Sequence, residues 1–290
     1  MALQTTLTMN RRTLIGVLTA LGLGGAPLRA LAQDAGQRQF TFLGLGLDKY
    51  SETGQRSDII MLARVDLDAG TVRVLSIPRD LYVEIPGYQA FKINDAYNDG
   101  LHSTPERDWR NGAALAAETI RHNFGITVDG VALTDFEVFP QVVDILGGVT
   151  VENPYDLVQG NWSFPAGPTQ LDGARATIFC RLRPDGDGGR VMRQHLVLVA
   201  MLRKLQSPEL LPRIPELVRT LADVVKTTIP PEVQAQLIAL IPQLSEEDLA
   251  FTNIEPMLWS GYTAGGAWIY QGDWAVLPGY VQGWLAGETV

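Results

Sequence analysis

The chain has 290 residues, 46 % of them hydrophobic, and a formal net charge of −9. That is enough apolar side chain for a sizeable core in one large domain or two small ones. A pI near 4.9 argues against a broad nucleic-acid-binding face, which needs basic charge. The single cysteine, Cys180, excludes an internal disulfide and a cysteine-rich metal site, and its apolar neighbours predict a buried thiol.

The N-terminus reads as a targeting segment. Arg11-Arg12 precede a Leu/Ala/Gly-rich run, and Ala30-Leu31-Ala32 offers a cleavage site before Gln33. Glycines, Pro27 and Arg29 interrupt that run, which falls short of the about 20 predominantly apolar residues of a membrane span. Residues 1–32 are therefore expected to be a twin-arginine-like export signal cleaved near Ala32, in preference to a permanent anchor. Residues 33–290 are expected to form one domain with a helical and Trp-rich C-terminal extension, working outside the cytoplasm.

Phe40 to Leu47 is almost continuously apolar and ends at Asp48, the pattern of a buried strand with a functional C-terminal end. Ile59 to Val65 and Thr71 to Ile77 flank Asp66-Leu67-Asp68-Ala69-Gly70 and predict a hairpin. Leu81 to Ile85 is a further short strand. Asp108 to Asn123 predicts a helix stopped by Gly125. Thr134-Asp135-Phe136-Glu137 has the form of a capping box opening a helix to Leu146, in which Pro140 marks a kink or the true first turn. Gly147-Gly148 predicts a tight turn, and Val149 to Glu152 a strand. Residues 153–169, rich in Pro and Gly, are expected to be a surface loop, and Ala176 to Leu182 a buried strand.

Gly189 to Leu205 predicts a long helix with Val191, Leu198, Met201 and Leu205 on its apolar stripe. Residues 208–245 predict two amphipathic helices separated by Pro230-Pro231, and Trp268-Ile269 a late strand. Strands interleaved with helices define an α/β layered domain.

Charge concentrates at the ends of these elements. Four arginines fall within the thirteen residues from Arg181 to Arg193 of this acidic chain, around Asp185 and Asp187. Arginine forks onto phosphate oxygens in pairs, so the cluster predicts an anion site. Asp48, Arg56-Ser57-Asp58 and Arg79-Asp80 add carboxylates with neighbouring arginines at strand ends. That donor set suits Mg²⁺ or Mn²⁺, since Mg²⁺ takes one or two carboxylates together with phosphate oxygens and water. Lys92, Asn94 and Tyr97 line one pocket if they stand at a helix entrance; otherwise Asn94 is simply a helix cap. There is no phosphate-binding P-loop, no complete Gly-x-Gly-x-x-Gly and no Gly-x-Ser-x-Gly elbow. His102, His122 and His195 show no metal-ligand spacing.

The order Asp48, Arg56-Ser57-Asp58, Ser76-Ile77-Pro78-Arg79-Asp80, Lys92-Ile93-Asn94, Leu146-Gly147-Gly148-Val149, Arg181-x-Arg183 and Gly189-Arg190-x-x-Arg193-Gln194 resembles the LytR-CpsA-Psr family. The resemblance spans residues 39–205. It implies a mixed central sheet flanked by helices (α-β-α), with an apolar polyprenyl-binding tunnel lined from segments 115–120, 136–146 and 197–205. It implies a phosphotransferase that moves a glycopolymer from a polyprenyl-pyrophosphate carrier onto peptidoglycan, or a related envelope acceptor, as a phosphodiester. By matching position, Asp48 and Asp58 would bind the metal. Arg56, Arg79, Arg181, Arg183, Arg190 and Arg193 would bind pyrophosphate, with Gln194, Lys92 and Asn94 as polar partners. Asp187, with Arg183 and Arg79, would be catalytic. Peripheral membrane contact through exposed aromatics is expected, and no nucleic acid. Two other functions remain open at this point: hydrolysis of the lipid carrier by water, and non-catalytic polyprenyl-phosphate binding.

Overall fold

The alternation in strand β1 (Gln39–Lys49) sets the layers. Its odd positions Leu43, Leu45 and Leu47 are buried in one apolar cluster, and its even positions Phe40 and Phe42 in another. Successive side chains of a strand point to opposite faces, so both faces of the sheet are covered. Gly44 and Gly46 continue the even series and bring no side chain to the second face. The computed structural model describes residues 37–49, 54–222 and 224–288; the expected export signal lies outside them.

β1 pairs antiparallel with β2 (Gln55–Asp66), and β2 with β3 (Thr71–Ser76). Their hairpin is closed as its sequence predicts: Asp66 Oδ1 accepts from the Asp68 and Ala69 amides at 2.9 Å, and Gly70 takes φ +67°. A short ribbon, β4 (Tyr82–Val83) with β5 (Phe91–Lys92), leads to helices α1 (Asp95–Leu101) and α2 (Trp109–Phe124). Asp108 caps α2, accepting from the Arg110 amide, and Gly125 ends it in the left-handed region at φ 68°.

Next come β6 (Gly130–Asp135), α3 (Phe139–Ile145), β7 (Val149–Asn153), β8 (Leu157–Gln159), β9 (Trp162–Phe164) and β10 (Gly167–Leu171). They are followed by α4 (Gly173–Arg181), α5 (Gly186–Leu205), α6 (Ile214–Leu221), β11 (Lys226–Thr227) and α7 (Pro231–Leu240). The chain closes with β12 (Leu249–Asn253), β13 (Leu258–Tyr262), β14 (Trp268–Gly272) and α8 (Leu277–Ala286).

The main sheet has the order β11-β6-β1-β2-β3-β12. β6 runs parallel to β1, β12 parallel to β3, and the other neighbours are antiparallel. The sheet is therefore mixed, as expected. Residues of α1, α2 and α8, including Tyr97, Ile120 and Val281, pack on the leucine face of β1. Helices α3, α4 and α5 form a second cluster, beside α7, on the other side.

Four expectations change. Ala176 to Leu182 is helix, not strand. Asp172 accepts from the Arg175 amide and starts α4, and Ala176, Phe179 and Cys180 then recur at helical spacing on its buried face. Segment 153–169 carries β8, β9 and the start of β10 rather than a plain loop. The helix expected from Thr134 begins only at Phe139: Thr134 and Asp135 finish β6, and Asp135 Oδ1 accepts from the amides of Glu137 (3.0 Å) and Val138 (2.8 Å). Pro140 lies in the first turn, where its missing N–H costs nothing. In α5 the buried face is Val191, Gln194, Val197 and Ala200, while Leu198 is 39 % exposed.

Candidate active site

The carboxyl end of β1 and the amino end of β2 meet the N-terminal half of α5 with a defect in the ladder. Leu47 pairs with Ser57 but Gly46 pairs with Ile59, so Asp58 is an extra residue, a β-bulge. A bulge re-aims a side chain out of the regular pleat. The Asp58 carboxylate forms an ion pair with Arg79, and its main-chain carbonyl accepts from Arg190 Nη1 at 3.2 Å. One residue thus ties β2, the loop after β3 and helix α5 together.

Arg190 is nearly fully buried and grips Asp187 with two bonds, Nε to Oδ1 at 3.1 Å and Nη2 to Oδ2 at 2.9 Å. Arg183 Nη1 lies 3.4 Å from Asp187 Oδ1. Burial holds Arg183 below the ordinary range for arginine. The neighbouring Arg190 and Arg79 guanidiniums depress it further, against the pull of Asp187 and Asp58. Burial also opposes the charge on Arg79, but Asp58 and Asp80 outweigh it and raise that group. Three guanidiniums close enough to repel one another form a site that an added anion would relax.

Around this centre, Asp80 accepts from Arg79 Nε at 3.3 Å and from Lys92 Nζ at 2.6 Å. Arg181 Nη2 reaches Asp48 Oδ2 at 3.0 Å, and its guanidinium lies 4.9 Å from the centre of the Phe136 ring. Arg56 Nε bonds Asp95 Oδ1 at 2.8 Å. Asn94 precedes α1 but makes no side-chain cap. Its amide donates to the Arg79 carbonyl at 3.2 Å, while its buried Oδ1 has no hydrogen-bond partner.

Arg193 is the exception within the arginine cluster. It is 0 % exposed and bonds the carbonyls of Phe179 (3.1 Å) and Leu182 (2.5 Å) and both oxygens of Asp185. Arg193 first, and Tyr155 with it, hold the Asp185 carboxyl down at about 2. Arg193 is therefore an internal strap across α4, the following loop and α5, not the pyrophosphate ligand its sequence position implied.

An apolar cavity of about 220 Å³ adjoins the cluster. It is lined by Gly44, Gly46, Ile59, Phe139, Cys180 and Val197, with Gln194 at its edge. The empty even positions of β1 form its floor. Arg190, Gln194 and Val197 lie one turn apart along α5, so one helix face runs from the arginines into the cavity. Phe139 of segment 136–146 and Val197 and Leu198 of segment 197–205 line this cavity. Segment 115–120 does not: Ala116 and Ile120 pack on the opposite face of the sheet. Burial raises the Cys180 thiol to about 12, which leaves it inert.

Sequence reasoning missed three contributors. The bulge at Asp58 gives no local sequence signal. Asp95 holds Arg56 in place and looks like an ordinary turn or cap residue, and Asp185, visible in the sequence only as part of the arginine-rich loop, holds Arg193. The third contributor is the tail: Tyr270 donates to Glu255 Oε1 at 2.9 Å, and a Cβ on Gly188 would lie 3.4 Å from Glu255 Oε2. Burial, then Glu255, then the charges of Asp187 and Asp80 raise the Tyr270 phenol.

Among the described residues no group of three or more His, Cys, Asp or Glu side chains is placed to hold a metal ion. Asp48 and Asp58 are the carboxylates that could hold a hard divalent cation, one that completes its shell with phosphate oxygens and water. Each engages an arginine through Oδ2, and neither Oδ1 has a hydrogen-bond partner among the described residues.

The chain is thus a three-layer α/β protein with guanidiniums crowded beside an apolar pocket. The LytR_cpsA_psr (LytR-CpsA-Psr) family model matches residues 24–276, and the chain belongs to that family. It is 32 % identical over 231 residues to the polyisoprenyl-teichoic acid–peptidoglycan teichoic acid transferase TagU of Oceanobacillus iheyensis, covering 78 % of this chain and 69 % of that protein. It is 30 % identical to the regulatory protein MsrR of Staphylococcus aureus, covering 66 % of this chain and 57 % of that one. Among solved structures, Bacillus subtilis TagV superposes with a TM-score of 0.71 at 22 % identity, covering 88 % of this chain and all of that one. TagT bound to LIIa-WTA superposes at 0.66 with 25 % identity, covering 87 % and 93 % of the two chains.

Proposed function

We propose that this protein is a phosphotransferase that moves a glycopolymer from a polyprenyl-pyrophosphate carrier onto peptidoglycan or a related envelope glycan. The observation that carries the reading is the junction on α5, where Arg79, Arg183 and Arg190 crowd at one end of the apolar cavity. A pyrophosphate with an apolar tail has the same two-part character. Membership of the family, and a relative named as a teichoic acid transferase, support the same assignment. No helix among the described residues is long and apolar enough to cross a membrane. The work site is read as extracytoplasmic from the N-terminal signal pattern, with peripheral access to the lipid.

In this reading Arg79, Arg183 and Arg190 bind the pyrophosphate oxygens, Arg56 and Arg181 extend the cationic rim, and Gln194 meets the first carbons of the lipid. The acceptor hydroxyl oxygen attacks the phosphorus that carries the glycopolymer. The bond from that phosphorus to the bridging oxygen breaks, and polyprenyl phosphate leaves with the electron pair. Asp187, beside Arg183, takes the hydroxyl proton. Charge builds on the departing phosphate, and fixed guanidiniums in a partly buried site stabilise it without reorganising. Asp48 and Asp58 would hold Mg²⁺ or Mn²⁺, which neutralises pyrophosphate charge when bound.

The test is reconstitution with a polyprenyl-pyrophosphate oligosaccharide, Mg²⁺ and a peptidoglycan oligomer, read by mass spectrometry. A phosphodiester conjugate is expected. Free sugar phosphate without conjugate replaces the transferase by a hydrolase, and retained but unreacted lipid replaces it by a binding protein.

A further inference from the structure

A second concavity lies outside the arginine site and has different chemistry. It is a groove of about 610 Å³ between the β4–β5 ribbon, the end of α2 and the β13–β14 hairpin. That is within the about 300–1,000 Å³ range of small-molecule sites. Its working surfaces are Trp259, Trp274, Gln271, Glu84, His122 and Asn123. No lysine or arginine lines it.

Two tryptophans present ring surface there and are held still. Trp259 is 51 % exposed, and its Nε1 donates to Gln271 Oε1 at 3.0 Å, which fixes the indole plane. Trp274 packs against the buried Phe124 ring at 5.6 Å between centroids and remains 38 % exposed. The polar rim is equally fixed: His122 Nε2 and Glu84 Oε2 are 2.8 Å apart, and Asn123 Nδ2 donates to the Glu84 carbonyl at 2.8 Å.

We propose that this groove binds an uncharged saccharide chain. A pyranose ring offers an apolar C–H face with partial positive charge, which matches the negative face of a fixed indole. Its hydroxyls match amides and a carboxylate. An anionic polymer would instead meet Glu84 with no lysine or arginine in the groove lining to offset the repulsion. The groove shares a wall with the arginine site, since the Tyr270 amide donates to the Asp80 carbonyl at 2.9 Å and the next residue, Gln271, faces the groove. Resting on the proposed function, the occupant is the acceptor glycan rather than the donor polymer.

The test titrates the full chain with a β-1,4-linked N-acetylglucosamine hexamer, by tryptophan fluorescence and calorimetry, without donor or turnover. Saturable binding is expected. Trp259→Ala and Trp274→Ala should each weaken it about tenfold, as loss of a buried aromatic anchor does, while inorganic pyrophosphate binding stays as in the wild type. Gln271→Leu, which releases the indole without removing it, should weaken it less; retained pyrophosphate binding reports that each variant is folded. Absence of hexamer binding by the wild type, or equal binding by folded tryptophan variants, overturns the proposal. So does sedimentation with phosphatidylglycerol vesicles that Trp259→Ala abolishes while the hexamer does not bind. Because no transfer step is measured, hexamer binding without conjugate formation leaves the groove assigned and removes the transferase, and the reverse result does the opposite.

Discussion

Arg183 and Arg193 are ten residues apart in one loop–helix segment, yet the structure gives them opposite work. Arg193 spends its donors on two carbonyls and Asp185 and touches no solvent. Arg183 keeps 41 % of its side-chain surface and sits against other guanidiniums. Truncating Arg193 strands a carboxylate and two carbonyls, so Arg193→Ala should destabilise by about 3 kcal/mol. Arg183→Ala removes repulsion, so its melting temperature should hold or rise while turnover falls about 100-fold or more. Thermal melts set beside turnover separate the two; equal melting losses would contradict the division of labour. The sequence showed where these arginines cluster, but only burial tells a strap from a ligand. Asp58 is argued the same way. Asp58→Asn keeps a bond to Arg79 but loses a charge, so the metal concentration for half-maximal activity should rise about tenfold or more. An unchanged metal titration would remove Asp58 from the metal site.

At the level of elements, β1 was readable as a buried apolar strand and the consequence of its alternation was not. Leu43, Leu45 and Leu47 mark a buried strand in the sequence. That Gly44 and Gly46 leave an unfilled floor depends on how α5 crosses them. The two glycines are not equivalent. A Cβ on Gly44 meets nothing closer than Met61 at 3.8 Å, whereas one on Gly46 falls 2.9 Å from Ile59 Cβ. Gly44→Leu should therefore fold normally and fill the cavity, so that polyprenyl phosphate no longer stays with the protein in native mass spectrometry. Gly46→Leu should lose about 1–3 kcal/mol of stability by overpacking. Full lipid retention by a folded Gly44→Leu variant would show that the lipid lies elsewhere. α4 teaches the converse lesson. A short apolar run such as Ala176 to Leu182 fits a strand or a buried helix equally well by periodicity, and the deciding signal was Asp172, one turn upstream.

At the level of the whole molecule, interleaved strand and helix patterns showed the layered class, and the ordered motifs pointed to the mixed sheet only through the family they resemble. The tail was less legible, since its contacts with the site, such as Glu255 beside Gly188, join residues far apart in sequence. One partly buried histidine reports on how well the layers stay docked. His195 projects from α5 to the sheet edge, where its Nε2 lies 2.9 Å from Ser76 Oγ of β3 and its ring 4.8 Å from that of Phe251 in β12. Burial lowers its pKa to about 4 from the ordinary imidazole value of 6.5. The unfolded chain therefore binds a proton below pH 6.5 that the folded protein refuses until about pH 4. Stability from this group is complete above that window and lost as pH falls through it. The shift corresponds to at most about 3 kcal/mol. Asp185 acts in a separate, lower window, because its depressed carboxyl weakens the fold only as pH falls from 3.8 toward about 2. Urea unfolding between pH 7 and pH 4 should show the wild type losing stability steadily. His195→Gln, which keeps a hydrogen-bonding nitrogen but does not titrate, should flatten that decline. Parallel declines in the two proteins would mean that His195 is already charged in the native state, and that the contact between α5 and the sheet edge tolerates the proton.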